Sequence, residues 1–138
     1  MNLSKRPIFL VHGLWNNPKL FDKLIKRIKE DDYQLYRPHL PHKFGRISLR
    51  RLARDLDSKI EELVGPEIEI DIVGFSMGGL ISRLWLQKYN GFLRTKRFIS
   101  IGTPHIGTYT AQMIPSSLMP GIAEMKRGSS LLSQLNND

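Results

Sequence analysis

Cysteine is absent from the 138 residues, which excludes disulfides, thiolate nucleophiles and cysteine-held metals together. Nowhere do about eighteen apolar residues run together, so the sequence offers no membrane-spanning helix. The apolar run Ile8 to Val11 is too short for the core of a signal peptide and passes straight into a His-Gly pair. The chain is therefore expected to be soluble and cytoplasmic. Acidic residues are scarce, 13 against 21 Lys and Arg, which leaves a formal charge of +8. The basic residues are scattered over Lys19 to Lys29, Arg46 to Arg54 and Arg94 to Arg97, which suits solvated helix faces and a turn. Peripheral attraction to an anionic membrane is the next reading. No nucleic-acid motif or aromatic-basic platform accompanies the charge, so no nucleic-acid partner is expected.

With 41% apolar and 25% charged residues, the composition is that of a globular protein, and the length allows one domain, 1–138. Strand-like runs occur at Pro7 to Val11, Tyr33 to Pro38, Ile68 to Val73 and Arg97 to Ile101. The first, third and fourth are rich in Ile, Val and Phe, as strands buried on both faces should be. The second is weaker and suits an edge. Between the runs lie helical stripes. Leu20, Phe21, Leu24, Ile25 and Ile28 form one; Leu49, Leu52, Ala53, Leu56, Ile60 and Leu63 a second; Leu80, Ile81, Leu84, Trp85 and Tyr89 a third. Ser48 is placed to cap the second, and Asn90-Gly91 to close the third in a left-handed cap. The alternation predicts an α/β fold, an open parallel sheet of about four strands with helices on both faces. In such sheets the ligand site lies beyond the carboxyl ends of the strands. From Gly102 onward no further strand of comparable strength appears.

The loops at those ends carry the chemistry. Gly74-Phe75-Ser76-Met77-Gly78-Gly79 follows the strand IEIDIV and opens a helix beginning near Leu80. A G-x-S-x-G in that context presents the serine hydroxyl on a tight strand-to-helix turn, with the helix N-terminus favouring developing negative charge. Otherwise the glycines serve only close helix-strand packing. A nucleophilic Ser76 needs donors for the oxyanion of a tetrahedral intermediate. The N–H of Met77 can supply one. The loop His12-Gly13-Leu14-Trp15 after the first strand can supply the other, from Leu14 N–H, with His12 and Gly13 shaping the turn. His12 reads as a structural histidine bonded to loop backbone rather than a proton carrier.

Three stretches, FLVHGLW, DIVGFSMGGL and ISIGTPHIGT, resemble the α/β-hydrolase lipases and esterases, in particular small bacterial lipases with an H-G-L oxyanion loop. They stand in the same order and span Pro7 to Thr108. The resemblance implies a carboxylic-ester hydrolase of lipase or esterase type. It would act through a Ser76 acyl-enzyme on a small acyl ester or lipid, with Leu14 and Met77 as oxyanion donors and neither cofactor nor metal. Phe75 departs from the histidine common before the serine, at a position that is not catalytic. In the resembling lipases the loop of His105 borders the site without supplying the base, so His105 is expected to be structural or substrate-facing. Beyond it, Met113, Ile114, Leu118, Met119, Ile122 and Met125, broken by Pro115 and Pro120, make 103–138 either a lid bordering the substrate or a loop packed on the core.

A serine hydrolase also needs a base and an acid, which in this fold follow the serine in that family order, acid then histidine. After Ser76 the only carboxylates are Glu124 and Asp138 and the only histidine is His105. His39 and His42 sit in the Pro-rich loop PHLPHK, with no physical case for either as the base. The expectation is a partial α/β-hydrolase fold lacking its C-terminal part; a rewired dyad using His105 is the second explanation. The alternative function is a catalytically inactive hydrolase-like remnant that binds lipid or a protein partner. The strand RFISI, without a further neighbour, is expected to be an edge open to self-association.

Overall fold

Four strands, β1 Pro7–Val11, β2 Gln34–Tyr36, β3 Ile70–Phe75 and β4 Thr95–Ile101, form one parallel sheet in the order β2-β1-β3-β4. The computed structural model describes residues 5–14, 18–28, 33–114 and 117–138; Trp15, Lys29 and Pro115, named above, lie outside them. Pairing of Leu10 with Val73 and of Val11 with Gly74 brings the ends of β1 and β3 level. The loops that follow these two strands therefore emerge side by side, as ligand sites in open sheets require.

Alternation along the strands divides the interior into two layers. Phe9, Val11, Ile70 and Ile72 face the main core with helix α2, Leu49–Val64, and helix α3, Met77–Lys88. Leu49, Leu52, Ala53, Leu56 and Ile60 of α2 are buried there, the larger side chains contributing about 1.5–3 kcal/mol each. Ser48 caps α2 by accepting the Arg51 N–H at 3.2 Å. The Trp85 indole N–H donates to Asp57 at 2.7 Å and ties α3 to α2. Asn90 adopts φ 58°, the left-handed residue that turns the chain after α3.

On the other face, Leu10 packs with Phe21 and Ile25, the latter from helix α1, Asp22–Arg27. The first helical stripe is thus shorter than its pattern: Pro18–Phe21 is a 3₁₀ turn, and Ile28 is extended. Other boundaries differ from the sequence reading: β2 is confined to Gln34–Tyr36, and β4 starts two residues early, at Thr95. Helix α3 begins at Met77 rather than near Leu80, because the turn at Ser76 already delivers the chain into helical geometry. Strand β3 begins at Ile70, two residues after the apolar run starts, and Ile68 is exposed.

The segment after β4 folds into three short helices, α4 Tyr109–Gln112, α5 Pro120–Glu124 and α6 Ser130–Asn136. They insert Ala111, Ile122, Met125, Leu131, Leu132 and Leu135 into the main core. Met113 and Leu118, by contrast, are 87% and 66% exposed.

Candidate active site

Ser76 occupies the single residue between the end of β3 and the start of α3. Its backbone, φ 53° and ψ −122°, matches the first central position of a type II′ turn, a place glycine normally fills. The turn is held from both sides. Ser76 N–H donates to Ile101 O at 2.8 Å, and Gly79 N–H donates back to Ser76 O at 3.0 Å. A side chain at position 78 would lie 2.2 Å from Val11 O, and one at position 74 would lie 2.5 Å from Gly79 Cα. Both sites need glycine because backbone passes through the space a Cβ would fill.

The loop after β1 rests directly on this turn. A Cβ on Gly13 would meet Phe75 O at 2.8 Å, Ser76 Cβ at 3.0 Å and Met77 N at 3.3 Å. Gly13 and Leu14 are thereby brought together with Ser76 and Met77, the first residue of α3. Leu14 and Ser76 share a cavity of about 250 Å³, also lined by Gly102, Pro104, Ile114, Ile122 and Met125. A roomier depression of about 490 Å³, lined by Arg50, Lys126 and Arg127, does not include Ser76.

His12 is fully buried and turns away from the serine. Its Nδ1–H donates to Gly13 O at 3.1 Å, and its Nε2 accepts Leu40 N–H at 3.0 Å, the tautomer these two partners require. Burial holds its pKa below the ordinary histidine range. His105 is engaged elsewhere: its Nε2 lies 3.0 Å from Ser100 Oγ and its Nδ1 3.5 Å from Arg83 Nη1. Arg83 in turn donates to Asn136 Oδ1 at 2.7 Å, and Asn136 donates to His105 O at 3.1 Å. Burial, with the Arg83 charge second, pushes the His105 pKa down.

Several residues of the cavity carry no signal in the motifs. Thr110 and Ala111 reach it from α4, the short helix that follows the ISIGTPHIGT stretch. Thr103 lies against helix α3: its Oγ1 is 1.9 Å from where a Cβ on Gly79 would stand, and that oxygen is buried without a hydrogen-bond partner. The doubled glycine, Gly78-Gly79, was the available sign of so close an approach.

The family model described as alpha/beta hydrolase fold matches residues 6–135. No curated protein matches the sequence. Among solved structures, the mature form of a Bacillus licheniformis lipase is similar at TM-score 0.74 and 19% identity, covering 99% of this chain and 60% of that one. The phospholipase PlaB from Legionella pneumophila gives 0.70 and 19%, with 96% and 35% covered. A monoacylglycerol lipase from Paleococcus ferrophilus gives 0.63 and 22%, with 80% and 42% covered. The chain thus spans 60% or less of the length of these three relatives, and at such identities the likeness is one of fold. From the family match across nearly its whole length, the chain belongs to the α/β-hydrolase fold family.

Proposed function

We propose that this chain carries the nucleophile, oxyanion hole and acyl-pocket wall of a carboxylic-ester hydrolase of lipase or esterase type. The observation that carries the reading is the Ser76 turn: a side chain held where glycine would be easier, at the head of α3 and against Gly13. Ser76 Oγ attacks the ester carbonyl carbon, and the carbonyl electrons move to the oxygen, where Met77 N–H and Leu14 N–H receive the oxyanion. The tetrahedral intermediate collapses to an acyl-Ser76 ester and expels the alkoxide, which leaves as the alcohol with the proton given up by Ser76; water then adds to the acyl carbon, releases the acid and returns a proton to Ser76 Oγ. The apolar lining from Leu14, Ile114, Ile122 and Met125 suits an acyl chain in a small ester or lipid. Ile114, Ile122 and Met125 belong to the 103–138 segment, whose exposed Met113 and Leu118 serve as its lid-like residues.

The general base is assigned to none of the four histidines, since His12, His42 and His105 have hydrogen-bond partners elsewhere and His39 stacks on His12. The same observation favours a second reading, a hydrolase-like remnant that binds lipid or a protein without turnover.

Hydrolysis of a short-chain nitrophenyl ester by the protein, beside Ser76→Ala and His105→Ala, decides between them. Turnover lost in Ser76→Ala and kept in His105→Ala is expected. Loss in both variants makes His105 the base. Rates untouched by Ser76→Ala overturn the ester-hydrolase reading, and background rates throughout favour the remnant.

A further inference from the structure

His39 and His42 take no part in the ester chemistry, yet both rings lie against His12. The His12 and His39 rings are stacked with centroids 5.6 Å apart, and His42 meets His12 edge-on at 6.0 Å. Among the described residues these side chains form no set able to hold a metal ion. What they hold is backbone. His12 Nε2 accepts Leu40 N–H, and His42 Nδ1 accepts Phe44 N–H at 3.1 Å.

The backbone so held is strained. Lys43, Phe44 and Gly45 all have positive φ, at 47°, 56° and 86°, although only one of them is glycine. The strain has a purpose in packing. Gly45 sits against Ile122, whose Cγ1 is 2.5 Å from where a Cβ would stand, and near Leu14 Cδ1 at 3.6 Å. This turn therefore props two walls of the Ser76 cavity, Leu14 and Ile122.

We propose that His12, His39 and His42 form one positioning device for the Leu14 loop, and that acid disassembles it. The proposal rests on the ester-hydrolase reading only for its consequence in catalysis. Protonated His12 carries an N–H on both nitrogens, so Nε2 faces the Leu40 N–H donor to donor and the bond is lost. The charged groups nearby do not relieve this. Lys43 and Arg46 on the same loop are cationic, and the first turn of α3, against which His12 O packs, has no titratable side chain. Glu124, on the helix covering Gly45, is turned to the Leu49 N–H. His12 is held below its ordinary range first by burial and then by repulsion from His39 and His42. A histidine lowered in the folded state contributes stability that is fully present above its unfolded value, about 6.5, and is lost as the pH falls below it.

The test is a pH titration, from 7.5 downward, of backbone amide NMR signals in the ¹⁵N-labelled chain. The expected result is that Leu14 and Leu40 shift or broaden with one common midpoint below 6.5, while Leu56 and Ile72 do not move. His42→Asn keeps an acceptor for Phe44 N–H and takes one imidazole from beside His12, so the midpoint should rise. His39→Phe keeps a ring in the stack and takes away the other imidazole, so the midpoint should rise there too. Separate midpoints for the two amides, or an unchanged Leu14 midpoint in both variants, overturn the proposal. These spectra need no turnover, so a failed esterase assay leaves the test intact. Where turnover is measurable, kcat should fall with the same midpoint, and His42→Asn should move that limb.

Discussion

The two faces of the sheet are finished to different degrees. Over the face bearing Phe9, Val11, Ile70 and Ile72, helices α2, α3, α5 and α6 close a continuous core. Over the other, α1 covers Leu10 with Phe21 and Ile25, and Val73 and Phe75 pack at the margin of that small cluster. Ile99 and Ile101, in register with Val73 and Phe75, share this second face and remain 53% and 44% exposed. Both lie on β4, the outer strand. The lesson is a separation of duties: one face carries stability and sets the Ser76 turn, while the other presents an apolar strip and an open strand edge.

The largest expected effect probes the first face where it meets the site. Gly78→Ala puts a Cβ 2.2 Å from Val11 O and 2.5 Å from His12 O, so backbone must move on one side. A loss of about 3 kcal/mol or more in chemical denaturation is expected. A loss below about 1 kcal/mol would mean the turn is looser than its packing implies. Leu56→Ala, wholly inside the same core, should cost about 2–5 kcal/mol in the same assay.

On the second face the outcomes should reverse. Ile99→Ser with Ile101→Ser is expected to change stability by no more than about 0.5 kcal/mol per site. We propose that the wild-type strip supports self-association, so the double variant should lower the sedimentation-derived association constant. A wild-type chain that stays monomeric at high concentration would remove the association half of the comparison.

A pH-dependent effect of similarly small size lies at the seam of the packed face. Burial raises the Glu124 pKa while its carboxylate accepts the Leu49 N–H at the start of α2. A carboxyl raised by folding binds more protons folded than unfolded. Its contribution is therefore fullest below the unfolded value and declines as the pH rises through the folded one. Glu124→Gln keeps an acceptor oxygen and should flatten that decline, with a change within about 1 kcal/mol at neutral pH, read from melts across pH 4 to 8.

Much of this arrangement was legible in the residues. Ser48, the α2 stripe, the three apolar strand runs and GFSMGG each carry a local signal, and their order dictated a parallel sheet with the two glycine loops adjacent. What was not legible depended on distant partners. Lys43 and Phe44 carry no sequence signal for left-handed backbone; Gly45 beside them is pressed against Ile122 and lies near Leu14, both remote in sequence. Helices α4 and α5, of four and five residues, are too short to show a period. The apolar residues of this segment read equally well as a lid or as core; Ala111, Ile122 and Met125 are buried in the core, and Met113 and Leu118 are exposed. Helix α6 did leave a sign, since Ser129 caps it by accepting Leu132 N–H ahead of the Leu131, Leu132, Leu135 stripe.

The backbone of Ser76 has a consequence for how this position tolerates change. If chain folding alone chose the residue, glycine would win there, because it adopts φ 53° and ψ −122° without a Cβ in the way. A protein released from the need for a hydroxyl would drift toward glycine and gain robustness, whereas alanine would lose the hydroxyl and keep the strain. The melting-temperature gap between those two replacements is thus a direct gauge of what holding any side chain at this turn costs the molecule.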